Sequence, residues 1–369
     1  MTRFALVACV GFSGACYEGA IPIDDEASFR NTELNTPHLN GPIFQGPIFQ
    51  GRVLNGINLN GPIFQGPIFQ GPIFQGPIFQ GLQLNGPIFQ GPIFQGPWLD
   101  GSAFTGTVKQ DGQVVQLEPE DFVGSEWTIR LTENNKTEDY ILRIDAIHQS
   151  PEYDDVYTYD FSQRPKLGSA SAWKPLCVDS NNAAVPAIPL AHYWNLATGD
   201  RIDDPRVFTL ACTNAVLAKC VLWGYRPWAE ASFCKNADKG KTKHCEDISL
   251  QDYHQACTRM ARADYCGDGT PWTVEGNAID VRDLLNPPVQ QPTTDWFVEA
   301  EWNPDGAYCV NDIRQQVWKA QGQYPACFLK NGKFDKPIIK NNCGSLKNER
   351  ALMYSTFDME AQLAKIPQD

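Results

Sequence analysis

The sequence predicts an α+β globular domain braced by disulfides, preceded by a repeat stalk that is either a β-solenoid or an extended Gly/Pro-rich chain. Three observations carry this expectation. A five-residue unit recurs from Leu34 to Gly106. Ten of the twelve cysteines are confined to residues 177–343. Beyond the repeat, apolar and polar residues first alternate with the period of a strand and then give way to apolar stripes at helical spacing.

In chain order, residues 1–15 read as an export signal. Thr2-Arg3 is a short basic start, Phe4 to Phe12 an apolar run, and Ser13-Gly14-Ala15 a small-residue cleavage site. That run is too short to span a bilayer as a helix. Small residues directly before Cys16 resemble a bacterial lipobox, which implies lipidation of Cys16. Ser13 stands where that box usually has Leu, so free secretion is the alternative. Leu6 to Cys9 is a closer lipobox match but leaves too few apolar residues ahead of Cys9. Residues 16–33 have no periodicity and read as a linker.

Within residues 34–106 the first position of each unit is Gly from Gly41 to Gly106, and the fourth is always Phe or Leu, from Leu34 to Phe104. The third position varies between Ile, Val53, Asn58, Gln83, Trp98 and Ala103, so the fourth is the column expected to be buried. Coils this short bury an apolar residue only by stacking on their neighbours. The pattern resembles the pentapeptide-repeat family, and the resemblance implies a right-handed four-sided β-helix. Pro stands in most units where that family prefers a small residue, which removes a backbone donor and keeps a polyproline-like spacer open as the alternative. Only Arg52 and Asp100 carry charge between Gly41 and Gly106.

Strand signals follow. GTVKQDGQVVQL contains a hairpin signal at Asp111-Gly112, EWTIRLTENNKTEDYILRIDAI alternates around Asn134-Asn135, and DDVYTYDFS alternates again. Asp204-Pro205 can open a helix, with Cys212, Val216, Cys220 and Trp223 forming one stripe up to Gly224. A second helix is expected from Leu250 to Tyr265, capped by Ser249 and Asp252 and stopped by Gly267. FVEAEWNPDG and QYPACF read as strand or turn pieces, and Leu346 to Ile366 as a last helix. The globular domain is placed at 107–350 and a C-terminal helix and tail at 351–369.

A net charge of −13 argues against nucleic acid and anionic lipid head groups as partners. Cys177, Cys212, Cys220, Cys234, Cys245, Cys257, Cys266, Cys309, Cys327 and Cys343 form an even set without any CxxC pair, which points to disulfides in an oxidising compartment rather than to zinc. Their connectivity is not readable from spacing.

Cys212 through Trp228 and HQACTRMARADYCGDGTPW from His254 to Trp272 resemble the ADYC-domain proteins of myxobacteria and related bacteria. Ala263, Asp264, Tyr265 and Cys266 are the tetrapeptide that gives the family its name. AWKPLC ending at Cys177, IDDP from Ile202 to Pro205, FVEAEWNPDGAYC ending at Cys309 and PACF around Cys327 match its other landmarks. The resemblance covers roughly residues 105–350 and implies architecture and location rather than a reaction.

Each possible site has a bland counterpart. His254, Cys257, Asp264 and Cys266 could form a cysteine-hydrolase centre, yet half-cystines beside a partly exposed helical histidine, with Asp264 paired to Arg259 or Arg262, explain the same residues. Asp264, Asp268, Glu275, Asp280 and Asp283 could hold calcium, but lack the spacing of an EF-hand. His244-Cys245 beside Lys239, Lys241 and Lys243 reads as a solvated loop with one disulfide. Trp223, Tyr225 and Trp228 could stack on a sugar or pack into the core. No serine elbow, phosphate loop, HExxH or dinucleotide motif is present. No catalytic residue, metal or cofactor is assigned. The expectation is an exported cell-envelope protein, touching the membrane only through its lipid, with no nucleic-acid partner and with a protein or carbohydrate as its ligand. A secreted enzyme centred on His254 to Cys266 and a calcium-dependent adhesin are the alternatives.

Overall fold

The computed structural model describes residues 57–58 and, with short gaps of which 166–172, 236–243 and 335–342 are the longest, residues 94–367. The proposed signal, Cys16, the linker and most of the repeat lie outside the described residues, as do the turn residues Asp111-Gly112 and Asn134-Asn135.

The chain first builds strands. β1 (Ile57–Asn58) is followed by β2 (Phe94–Asp100), β3 (Ala103–Gln110) and β4 (Gln113–Leu117). The last three form an antiparallel sheet, with Leu99 opposite Phe104 and Gln110 opposite Gln113. The final units of the repeat are therefore strands of the globular body, not coils of a solenoid. Their fourth-position residue Phe104 is nevertheless fully buried, as the column predicts.

Next come β5 (Glu126–Glu133), β6 (Lys136–Gln149), β7 (Tyr157–Pro165), β8 (Lys174–Pro175), β9 (Ala187–Ala191), the two-stranded pair β10 (Tyr193–Trp194) and β11 (Arg201–Ile202), and β12 (Val207–Cys212). The large sheet runs β1-β12-β9-β7-β6-β5, with β8 also paired to β7. On its inner face Phe104 meets Trp127 and Tyr159 at 4.9 Å between ring centroids and Phe208 at 5.4 Å, all edge-on. Such pairs add to the area they bury, which for rings of this size dominates the local stability. The Tyr159 hydroxyl accepts the Phe104 amide at 2.8 Å, so this aromatic core leaves no polar group stranded there.

The rest of the chain forms a second core. α1 (Val216–Leu222), the hairpin β13 (Glu230–Lys235) and β14 (His244–Ser249), and α2 (Gln251–Arg262) are followed by β15 (Ile279–Asp283), β16 (Phe297–Asn303), β17 (Gly306–Val310), α3 (Gln316–Ala320), the short pair β18 (Leu329–Lys330) and β19 (Lys333–Phe334), β20 (Met353–Phe357) and α4 (Met359–Leu363). A four-stranded sheet runs β15-β20-β16-β17. α2 packs across it, with Ala256, Met260 and Ala261 buried in one cluster with Ala300, Trp302, Val310 and Met353.

Several expected elements are corrected. The stretch from Val207 to Cys212 is a strand and the helix begins only at Val216. All of Phe208 to Cys212 is buried, and a short apolar run buried on both faces cannot be told from a helix by periodicity. Cys212 and Cys220 thus lie on different elements. The expected last helix from Leu346 to Ile366 is instead β20, a central strand, followed by the five-residue α4. MYSTF is rich in strand formers and both its faces are covered. His244-Cys245 begins a strand, not a loop. α2 has Leu250 as its cap, and Ala263 in the left-handed conformation (φ 51°) ends it well before Gly267. Gly267 serves a close approach instead: a Cβ there would sit 1.7 Å from the Asp305 carbonyl oxygen at the β16–β17 turn.

Candidate functional site

The ten cysteines form five disulfides: Cys177–Cys212, Cys220–Cys257, Cys234–Cys245, Cys266–Cys327 and Cys309–Cys343. Cys220–Cys257 ties α1 to α2, and Cys234–Cys245 joins directly opposed residues of β13 and β14. Cys257 and Cys266 carry no thiol, so the cysteine-hydrolase reading is overturned. His254 is corrected too: it is fully buried rather than partly exposed. Its Nε2 donates to the Leu217 carbonyl at 3.0 Å while Nδ1 has no partner among the described residues. Burial holds its pKa down at about 4, so the ring is neutral.

The tetrapeptide Ala263 to Cys266 is a buried junction. Ala263 reverses the chain, Cys266 bonds to Cys327, and the two residues between them anchor two ionic networks. Asp264 lies 2.6 Å from Arg259 Nη1 and accepts the amides of Asp268 and Gly269 at 3.1 and 3.0 Å. Burial raises its pKa, and the Arg259 and Arg262 guanidiniums oppose that rise. Arg259 also binds Asp200 and the Pro304 carbonyl, which joins α2 to the β11 approach and to the β16–β17 turn.

Tyr265 leads to the second network. Its hydroxyl donates to Glu299 Oε1 at 2.6 Å and accepts the Arg314 amide at 2.8 Å. Arg314 and Glu299 are both fully buried and 2.8 Å apart. Arg314 further donates to the carbonyls of Met260 and Ala261 at 3.0 and 3.3 Å in the last turn of α2, where the Met260 carbonyl also accepts the Ala263 amide at 2.9 Å. Ser355 completes the set by donating to Glu299 Oε2 at 2.9 Å. A buried ion pair this fully hydrogen-bonded recovers much of its desolvation cost. It joins α2, β16, β20 and the chain before α3. Nothing in it faces solvent or leaves room for a substrate, so its chemistry is that of a clamp.

The other proposed sites dissolve into separate structural roles. Asp264 belongs to the Arg259 network, Asp280 accepts from Thr293 and Thr294, and Asp283 accepts from Tyr225 and the Leu285 and Gln290 amides. Glu275 lies outside the described residues. The acidic residues are thus not brought together, and no group of three or more metal-ligating side chains occurs among the described residues. Trp223 and Tyr225 are buried in the core, and Trp228 donates to Asp155 at 2.8 Å, so this aromatic group packs rather than receives a sugar.

One open feature lies elsewhere, on the outer face of the large sheet. Asp145, Asp160, Ser162, Trp173, Lys174, Pro175 and Val185 surround a cavity of about 150 Å³. Strand alternation places Asp160, Ser162 and Arg164 of β7 on this face, because Tyr159 and Phe161 point into the aromatic core. A bulge between Ile144 and Ala146 turns Asp145 outward beside them. The Trp173 ring is held by two guanidiniums, Arg143 at 4.2 Å and Arg164 at 4.7 Å from its centroid. Sequence analysis met Trp173 only as part of a landmark and missed Asp160 and Ser162. The alternation of DDVYTYDFS was the available signal, since it already separates inward from outward residues.

No curated protein and no solved structure matches this chain. The ADYC-domain profile matches residues 119–316, more than half of the chain, and that span includes the tetrapeptide together with Arg259, Glu299 and Arg314. The chain belongs to the ADYC-domain family.

Proposed function

We propose that this is an exported cell-envelope protein, anchored through a lipid on Cys16, in which the repeat of residues 34–93 displays a disulfide-braced domain that works as a binding module. The observation that supports it best is the pairing of every cysteine from Cys177 to Cys343, which points to an oxidising compartment. No helix among the described residues is long and apolar enough to cross a membrane. The ADYC residues are committed to joining α2 to the four-stranded sheet, which favours a scaffold over a catalyst. Recognition then falls to the surface groove at Trp173.

Export and anchoring are tested together in a bacterial host. Radiolabelled palmitate is expected to enter the full chain, and Cys16→Ala to abolish incorporation. A non-reducing peptide map is expected to return the five pairs named above. A folded product recovered from the cytoplasm with free thiols would remove the basis for the reading.

A further inference from the structure

We infer that the groove at Trp173 binds a single uncharged sugar ring. The inference rests on the reading of this domain as a binding module and names its ligand class.

The groove supplies three kinds of contact. Its apolar wall is Trp173, Pro175 and Val185. Its acceptors are carboxylate oxygens. Asp145 uses Oδ1 on Arg143 at 2.5 Å and Asp160 uses Oδ2 on His148 at 3.0 Å, which leaves Asp145 Oδ2 and Asp160 Oδ1 without a partner among the described residues. Its donors are Lys174 and the Ser162 hydroxyl. Ser162 is only 7% exposed, lies opposite Arg143 in the sheet, and its Oγ has no partner among the described residues. A buried hydroxyl left unpaired in a native fold calls for an explanation, and a ligand hydroxyl that both accepts from it and donates to it provides one.

Charge selects among ligand classes. A cation would approach a tryptophan already flanked by two guanidiniums, and like charges that close repel. An anion would meet Asp145 and Asp160. Charges of both signs line the groove, with Lys174 beside the two carboxylates and Arg143 paired to Asp145, so the site as a whole favours a neutral molecule with several hydroxyls and one apolar C–H face. Size agrees, because a groove of about 150 Å³ that is open to solvent can seat one edge of a six-membered ring while the remaining hydroxyls project into water.

Saturation-transfer NMR on the disulfide-intact full chain tests this with the methyl glycosides of glucose, galactose, mannose and N-acetylglucosamine at millimolar concentration. At least one is expected to receive saturation on its ring protons. Trp173→Ala should weaken that binding by about tenfold or more, and Ser162→Ala by about fivefold. Ser162→Ala removes an unpaired buried hydroxyl, so its Tm should be unchanged or higher, which separates lost binding from lost folding. Asp160→Asn supplies a second variant that keeps the shape of the groove. Binding of none of the four glycosides, or binding that neither Trp173→Ala nor Ser162→Ala alters, overturns the inference. So does a shift of the Trp173 indole signal by tetramethylammonium or phosphate in place of a glycoside. Failure here leaves palmitate incorporation and the disulfide map unchanged, so it is distinguishable from failure of the export reading.

Discussion

The two cores of this domain are stabilised by different physics. Under the large sheet, Phe104 packs edge to face with Trp127, Tyr159 and Phe208 and tilted against Phe122, and a single disulfide, Cys177–Cys212, is buried in the same core. In the half built around α2, fully buried charges sit among the apolar residues and the other four disulfides hold the elements. The apolar burial that dominates there is non-directional, and the edge-to-face preference of the rings adds only a modest orientation to it. Ion pairs such as Arg314–Glu299 fix one arrangement of helix and sheet, because any other leaves a charge unpaired in the interior. The difference teaches that the named motif is a device for orienting elements of one fold.

The comparison breaks most sharply at Arg314. Arg314→Leu is expected to cost about 3–5 kcal/mol, since Glu299 is left buried without its cation. Phe104→Ala should cost a similar amount, about 3–5 kcal/mol, through the cavity it opens. Denaturant unfolding separates them. Adding Glu299→Leu should restore much of the loss in Arg314→Leu, whereas no polar change rescues Phe104→Ala. Equal behaviour of the two would dissolve the distinction.

A smaller effect is expected at the covalent bridge beside the motif. Replacing Cys266 and Cys327 together by Ser should lower stability by about 2–4 kcal/mol, because the chain between them is freed in the unfolded state. If the clamp holds the α2 end by itself, tryptophan fluorescence of the folded variant will match the parent. A red-shifted spectrum would assign that role to the disulfide.

The smallest effect sharpens the contrast through pH. His254 takes a proton only at about 4 in the fold but at about 6.5 when unfolded. Its contribution is therefore complete above 6.5 and is lost as pH falls towards 4, by up to about 3 kcal/mol. The drop in unfolding free energy between pH 7 and pH 4.5 should be smaller in His254→Gln than in the parent. An equal drop would assign acid sensitivity to other groups.

Much of the strand half was legible in the sequence, because alternation reports burial on one face residue by residue. The hairpin of β3 and β4, the pair β5–β6 and strand β7 all fall where the sequence alternates, although in β4 only Leu117 is buried, and Phe104 points inward. What misled was burial on both faces. β12 and β20 are central strands, and from Phe208 to Cys212 and from Met353 to Phe357 both faces are covered, so the period that would identify them is gone. Of the candidate site, the tetrapeptide and the pairing of Asp264 with Arg259 could be anticipated, since both lie within one turn of a helix end. Glu299 and Arg314 could not, because nothing local distinguishes a buried charge from a solvated one.

The sequence by itself determined which residues would be cysteine-linked, where strands alternate, and that α2 would end near the tetrapeptide, since each depends on composition or on neighbours a few positions away. Which cysteine meets which, that Tyr265 reaches Glu299 and Arg314, and that Ser162 shares a groove with Trp173 and has no partner among the described residues, came only with the folded chain. Those outcomes join residues tens of positions apart, and the free energy that selects them comes from desolvation and packing, which exist only once the chain has closed on itself.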